Sequence, residues 1–508
     1  MFSSRKSLKH WLLWGAALAF TASAVGAQTV SQLELPAAPE PHIAAAVPVT
    51  IFGAAQHNPD DSADRQAAAQ PAPTADTADP ILTMFPHPEG RRYWISGQAN
   101  TIYQGRLPFH SPYQGPNSFR NSAEYKTSMV ETLYMAVRPT HSIRYNTDLV
   151  FDMESAGGRG LSEAVGLAGF TNLDVVRNPN LGATPYIARY QIHQVFGLTD
   201  KTVPQDASFY SLATEVPERR IEFRIGKLTL PDFFDVNDAG TDSHLQFLNW
   251  TVDNNGAWDY AADTRGYTVG GFAEYDDKTW SLRYGIFAMP VVANGIDMDW
   301  AFSRAHEQNG EFELRRSFLA GRKGTTRILF YGNNAHMGDY REAVQAFLAG
   351  IDRTPTITAH ERFGALKYGV GYNGMQELTE NLRVFGRFGW NEGQHESFAY
   401  TEVDQTVEMG GDYSMRRFNR PNDKFGIALV SNAIKKDHQN YLKYGGLGFL
   451  LGDGKLNYGR ENIVESYYNW HAWKGLFFAL DAQHINDPGY NRDRGPAWVA
   501  AVRGHIDF

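Results

Sequence analysis

The chain contains no cysteine. That excludes a disulfide framework, thiolate metal ligation and lipidation of an exported N-terminus, all of which need the thiol. It also lacks any long apolar run beyond its first residues; the closest, from Ile43 to Ala55, is interrupted by Pro48. A helical membrane span needs about 20 predominantly apolar residues, so a membrane-embedded mature chain would have to cross as a closed barrel, the other fold that satisfies every backbone polar group in lipid. The formal net charge of −9 is not basic, and no electrostatic case for nucleic acid exists. No Gly-rich phosphate loop opens a helix after a strand, and the 16 histidines show no HExxH spacing. Neither a metal nor a cofactor is expected, and no enzyme signature is present.

What is present points outward from the cytoplasm. Arg5, Lys6 and Lys9 precede an apolar stretch from Trp11 to Ala22 and then small residues, the pattern of a secretory signal spanning residues 1–27. Residues 28–90 are rich in Ala, Pro and Asp, with eight acids against the single base Arg65. Such composition predicts an extended periplasmic linker rather than a folded plug. From residue 91 to 508 the character changes to short alternating segments. The 48 glycines, 31 Phe, 25 Tyr and 11 Trp of the chain suit turns and interfacial girdles.

Ile143 to Glu154 shows the alternation plainly. Ile143, Tyr145, Thr147, Leu149, Phe151 and Met153 share one face, and Arg144, Asn146, Asp148, Asp152 and Glu154 the other. A soluble sandwich would turn the apolar face inward; an outer-membrane barrel inverts the pattern. Connection lengths favour the barrel. Short links such as "PTHS", "DDK" and "GRKG" alternate with long segments at 105–123, 155–186, 231–263, 291–309 and 333–362, as periplasmic turns alternate with external loops. One connection, 199–219, is long on the side expected to be periplasmic. The expected fold is an all-β transmembrane antiparallel barrel of sixteen strands, or eighteen if 392–423 supplies two more.

Strand parity nominates Arg144, Asp148, Asp152, Arg189, Gln191, His193, Arg220, Glu222, Arg224, Arg283, Arg383, Arg387 and Arg503 as lumen-lining, against lipid-facing Tyr190, Ile192, Ile221, Phe223, Ile225, Leu282, Tyr284 and Val384. Arginine donors facing carboxylate acceptors could hydrogen-bond the hydroxyls of a neutral solute with little net field, or simply pair with one another. The loop Pro231–Asp263 is the candidate constriction through Asp232, Phe233, Phe234, Asp235, Trp250 and Trp258; its aromatics either meet solute or pin the loop to the wall. Asp232 and Asp235 drawn as a glycosidase pair is a weak alternative, since adjacency in a loop is no geometry.

Several segments resemble the carbohydrate-selective porin family of the OprB type: "SGQANTIYQ" with "FHSPYQGPNSFR", "GLAGFTNLDVVRNP", "GKLTLPDFFDVNDAGTDSHLQFLNW", "NNGAWDYAADTRGYT" and "NDPGYNRDRGP". The resemblance implies a sixteen-stranded barrel through which mono- and disaccharides and other small polar solutes diffuse passively, with external loops folded into the lumen as a constriction; a general non-selective porin and an envelope-tethering barrel are the other readings. The Ala/Pro-rich leader has no counterpart in that pattern. Expected partners are sugars as permeants, outer-membrane lipid and lipopolysaccharide, and the barrel insertion machinery, whose signal the last strand resembles: Trp498, Ala500, Val502, Gly504, Ile506 and Phe508 on one face, with Arg503, His505 and Asp507 on the other. Homo-oligomers are an open expectation.

Overall fold

The computed structural model describes residues 82–177 and 181–508; the signal segment and most of the 28–90 linker lie outside the described residues. Alternation forms the strands. Eighteen occur among the described residues: β1 (Tyr93–Arg106), β2 (Glu124–His141), β3 (Tyr145–Gly158), β4 (Tyr186–Gly197), β5 (Thr202–Pro204), β6 (Glu215–Pro217), β7 (Arg220–Leu228), β8 (Thr268–Asp276), β9 (Trp280–Ala288), β10 (His306–Leu314), β11 (Gly324–Met337), β12 (Arg362–Glu377), β13 (Leu382–Asn391), β14 (Gln405–Ser414), β15 (Lys424–Ala433), β16 (Glu461–Trp473), β17 (Leu476–Asn486) and β18 (Ala497–Asp507). β5 and β6 pair only with each other; the other sixteen close into one antiparallel barrel, each beside its sequence neighbour and β18 against β1. Sixteen is therefore the barrel count, and 392–423 contributes β14 alone.

Exposure along each strand resolves the sandwich-or-barrel ambiguity. In β17, Leu480 is 64% exposed while its neighbour Asp481 is 6% exposed. In β18, Trp498 and Val502 face outward while Arg503 is buried. Apolar rows outside and charges inside are stable only where lipid is the outer solvent. The expected lipid-facing Tyr190, Ile192, Phe223, Ile225, Leu282 and Tyr284 are all exposed.

Closure depends on the last residue. Phe508 N–H donates to the Gly97 carbonyl at 2.8 Å, and Gly97 N–H donates back to the Phe508 carbonyl at 2.6 Å, extending the β1–β18 ladder past Gln98 opposite Asp507. A Cβ on Gly97 would lie 2.8 Å from two atoms of the Phe508 ring. Gly97→Val is therefore expected to weaken closure by about 1–3 kcal/mol. Heat-modifiable migration on a denaturing gel should shift to a lower temperature; an unchanged midpoint would show that the ring moves aside freely.

The lumen is not empty. The loop joining β7 to β8 folds into it, and its Phe234 and Trp258 pack against Phe272 and Phe287 of the wall in one buried apolar cluster. Backbone N–H groups carried inward this way must be satisfied, and carboxylates accept them: Glu311 from Asp235 at 2.7 Å, Glu465 from Leu248 at 2.6 Å, Glu461 from Gly489 at 2.7 Å, and Asp259 from Phe398 at 2.8 Å. Among the described residues the loops also carry three short α-helices that alternation did not foretell, α1 (Trp250–Asp253), α2 (Tyr340–Leu348) and α3 (Lys436–Lys443), the last two packed through Tyr340 stacked on His438 at 4.1 Å.

Candidate functional site

Inside the barrel lies a cavity of about 520 Å³, within the range of small-molecule sites. The wall contributes Tyr134 from β2, Glu154 from β3, and Tyr186 and Arg189 from β4. The infolded β7–β8 loop adds Asp232, Asp242, His244, Trp250, Asp253, Tyr260, Asp263 and Tyr267, and the β13–β14 loop adds Tyr400. Phe209 and Tyr210 come from the opposite end. They belong to the 198–219 connection, whose unusual length is thereby accounted for: it enters the lumen, with Leu212 buried against Ala136 and Val150 and Phe209 stacked on Tyr134 at 4.0 Å.

Polar groups alternate with rings around this space. Glu154 accepts hydroxyl hydrogen bonds from Tyr186, from Tyr267 at 2.9 Å and from Thr132 at 3.1 Å. Arg189 forks onto Asp232 at 2.7 and 3.1 Å, reaches Asp152 at 3.4 Å, and lies over the Tyr210 and Tyr267 rings. Burial pushes the Asp253 carboxyl up to about 8 against the opposing pull of Arg387. Burial would lower His244, but the Asp174 carboxylate at 3.2 Å outweighs it and pushes the imidazole up to about 9, so it is charged at neutral pH.

Of the residues nominated from sequence, Arg189, Asp232 and Trp250 line this cavity. The others are placed differently. Arg144 is a correction: β3 begins at Tyr145, so Arg144 sits in the preceding turn, 62% exposed, paired with Asp200 at the rim. Asp148 pairs with Arg138 at 2.8 Å and faces His193 at 3.4 Å, His193 meets Glu222 at 2.7 Å, and Gln191 is buried beside them. Arg220 bridges Glu222 and Asp276, and Arg383 pairs with Asp412, both near the periplasmic end. Arg224 donates to the Tyr210 carbonyl at 3.1 Å, holding the inserted connection. Arg283 is enclosed by Glu274, Glu311 and Glu313 and donates to the Phe233 carbonyl at 2.8 Å. Arg387 clamps the infolded loop through Asp235 at 3.1 Å and the Val252 carbonyl at 2.7 Å. Arg503 does the same through the carbonyls of Ser243 and Gln246 at 2.7 and 3.0 Å.

Within the loop, Phe233 packs on Phe272 and under Arg224. Phe234, Asp235 and Trp258 are anchors, each no more than 1% exposed. Trp250 lines the cavity, but one of its faces is taken by Tyr400, parallel at 5.1 Å and 9°. Asp232 and Asp235 each have their own arginine, Arg189 and Arg387, so the glycosidase pairing has no geometry here.

Tyr186 was missed for a definite reason. Asp152 opposes Arg189 while Met153 opposes Ile187, leaving Ala188 as an extra residue in β4. That bulge reverses inward parity, so Tyr186 and Arg189 both reach the lumen. Tyr134 was legible by parity but carries no charge to draw notice. Tyr210, Asp253, Tyr260 and Tyr400 lie on loops, where no period marks an inward residue.

The chain matches the family model described as carbohydrate-selective porin, OprB family, over residues 146–508. Among solved structures it is similar to the high-pH structure of Pseudomonas putida OprB, with 17% identity, TM-score 0.61, and coverage of 82% of this chain and 94% of that one. The low-pH structure of the same protein aligns with 12% identity, TM-score 0.42, over 82% and 92% of the two chains. The outer membrane channel DcaP of Acinetobacter baumannii aligns with 9% identity, TM-score 0.46, over 82% and 97%. At such identity the first likeness is one of fold. Among curated proteins none matches.

Proposed function

Since the chain belongs to the carbohydrate-selective porin family, OprB, and is an outer-membrane channel for sugars and small polar solutes, we propose that its lumen cavity is where neutral mono- and disaccharides are selected during passive diffusion. The composition of the cavity supports this reading most directly. Tyr134, Tyr186, Phe209, Tyr210, Trp250, Tyr260, Tyr267 and Tyr400 supply apolar surface for sugar C–H groups, interleaved with the carboxylates of Glu154, Asp232 and Asp253 and the guanidinium of Arg189. A permeating sugar gives up part of its hydration shell, and such groups replace it at low cost without binding too tightly to release. Wall charges outside the cavity pair with one another and hold the loops, so they stiffen the passage rather than meet solute.

The test is single-channel conductance titrated with a panel of sugars, beside liposome swelling. Saturable block with competition between sugars is expected. A linear, non-competing response would make the channel a general diffusion pore instead.

The lining charges make a second prediction. Glu154, Asp174, Asp232, Asp242, Asp253 and Asp263 face Arg189, Arg265 and His244. Even with Asp253 protonated and His244 charged, acids outnumber bases. A reversal potential measured across a potassium chloride gradient should show cation preference, and anionic sugar acids should permeate more slowly than neutral sugars of the same size. Anion preference would place the selective region elsewhere in the lumen.

A further inference from the structure

We propose that Arg316, Phe318, Arg416, Arg417 and Phe418, on two turns of the periplasmic rim, bind the phosphate headgroup of an anionic phospholipid in the inner leaflet of the membrane. The inference goes beyond sugar selection and involves no residue of the cavity. Strands β10 to β15 are consecutive around the barrel, so the links β10–β11 (315–323), β12–β13 (378–381) and β14–β15 (415–423) are neighbours on one arc of that rim. Together they hold seven bases against two acids, Glu380 and Asp423. The 198–219 connection between β4 and β7 reverses the balance, with Asp200, Asp206, Glu215 and Glu218 against Lys201 and Arg219. The positive surplus thus belongs to the β10–β15 arc and not to the β4–β7 side.

The bases of the arc divide by role. Some are committed to holding the turns: Arg315 pairs with Asp276 and with Glu313 at 2.9 Å, and Arg420 with Asp423 at 2.8 Å and the His471 carbonyl at 2.8 Å. The turn backbone is tied down as well, Phe318 N–H donating to the Gln376 side chain at 3.0 Å and Met415 N–H to the Asp423 carbonyl at 3.1 Å. Arg316, Arg416 and Arg417 are different. They are exposed, and their guanidinium groups form no ion pair among the described residues. Beside them stand two phenyl rings in the open, Phe318 at 80% and Phe418 at 69% exposure. Apolar surface left bare in this way marks a site of interaction, and its continuity with the barrel wall says with what. Phe312 of β10, Ile328 of β11 and Phe425 of β15 are exposed on the lipid-facing side of the strands that run into these turns. The apolar surface therefore continues from the acyl zone to the level of the headgroups. There the free guanidinium forks match the non-bridging oxygens of a phosphate diester, and the phenyl rings fit the boundary between headgroup and acyl chain. A lipid with net negative charge is favoured, because a choline cation on the phosphate would face the arginines.

The experiment titrates the purified, folded porin in detergent with phosphatidylglycerol and with phosphatidylcholine of the same acyl chains, reading bound lipid by native mass spectrometry. The parent is expected to hold phosphatidylglycerol about tenfold more tightly, a preference that shrinks as salt rises. Arg316→Gln combined with Arg416→Gln and Arg417→Gln should abolish the preference, whereas Phe318→Ser with Phe418→Ser should weaken both lipids alike. Lys201→Gln with Arg219→Gln, on the acidic connection, should leave the preference intact. All these variants should keep the parent's heat-modifiable migration, since the replaced side chains of the arc reach solvent and hold no other part of the barrel. Equal affinity of the parent for the two lipids, or a preference that survives the triple arginine variant, would overturn the proposal. So would binding of soluble polyglutamate through the same arginines without any preference between the lipids, which would assign this face to an acidic protein. Sugar block of the channel is measured separately, and none of these outcomes alters it.

Discussion

Arg387→Met is expected to cost about 3–5 kcal/mol of local stability and to turn a quiet channel into a larger, noisier one. The guanidinium is fully enclosed and serves two carboxylates, Asp235 at 3.1 Å and Glu408 at 3.3 Å. It also holds the infolded loop by the Val252 and Asp253 carbonyls and the Thr241 hydroxyl. Methionine fills much of the volume but leaves both carboxylates buried without a counter-charge. Burial already raises the Asp235 carboxyl above its ordinary range, with Arg387 the main opposing influence. Without that influence Asp235 would take up a proton rather than remain charged. The barrel itself should still assemble, because the ladders from β12 to β15 run through backbone pairs that the side chain does not enter. What loosens is the loop. Open-channel conductance and current noise should rise together, and glucose should block more weakly. Arg387→Lys should recover only part of this, since an ammonium cannot fork between partners on several sides. Parent-like current from Arg387→Met would mean that the remaining contacts, Glu311 and Glu465 on backbone N–H groups and Arg283 and Arg503 on carbonyls, suffice to hold the loop.

A comparable change is expected from the periplasmic side. Replacing residues 205–212 by a short Gly-Ser turn should raise conductance severalfold and weaken block by sugars. Phe209 and Tyr210 form one wall of the cavity, locked by the Phe209–Tyr134 stack at 4.0 Å and by Arg224 on the Tyr210 carbonyl at 3.1 Å. Removing them opens the cavity toward the periplasm. Folding should persist, because β4 and β7 pair directly from Tyr190 opposite Lys227 to Gly197 opposite Arg220. Bilayer recordings measure the first effect, and heat-modifiable gel migration checks the second. Unaltered conductance would locate the narrowest passage elsewhere.

The first prediction concerns a loop whose infolding was expected from sequence but whose anchors were not, the second a connection whose entry into the lumen was not, and the division has a physical basis. The alternation from Ile143 to Glu154, repeated along the chain, marked two-faced strands, because side-chain direction in a strand is a local property with period two; the signal segment and the connection lengths turned that into a membrane barrel. Short and long connections in turn gave the direction of each strand and a count of sixteen or eighteen, which the closed barrel resolves to sixteen. Parity also identified charged residues that the structure buries inside the barrel, such as Asp148, Asp152, Arg283 and Arg503. It failed where locality fails: at Arg144, one residue before its strand begins, and at Tyr186, beyond a bulge that reverses the alternation.

The cavity depended on more than period. Arg189 is there by parity, but Tyr210, Asp253 and Tyr400 arrive on three separate loops. Which loop residues anchor the loop depends on contacts distant in sequence: Asp235 with Arg387, Trp258 with the Phe234 cluster, Trp250 with Tyr400. By itself, then, the sequence determined a membrane barrel with its charges turned inward. Only the tertiary structure decided which inward residues line the cavity, because a loop has no repeat to announce its orientation and takes it from the wall it folds against.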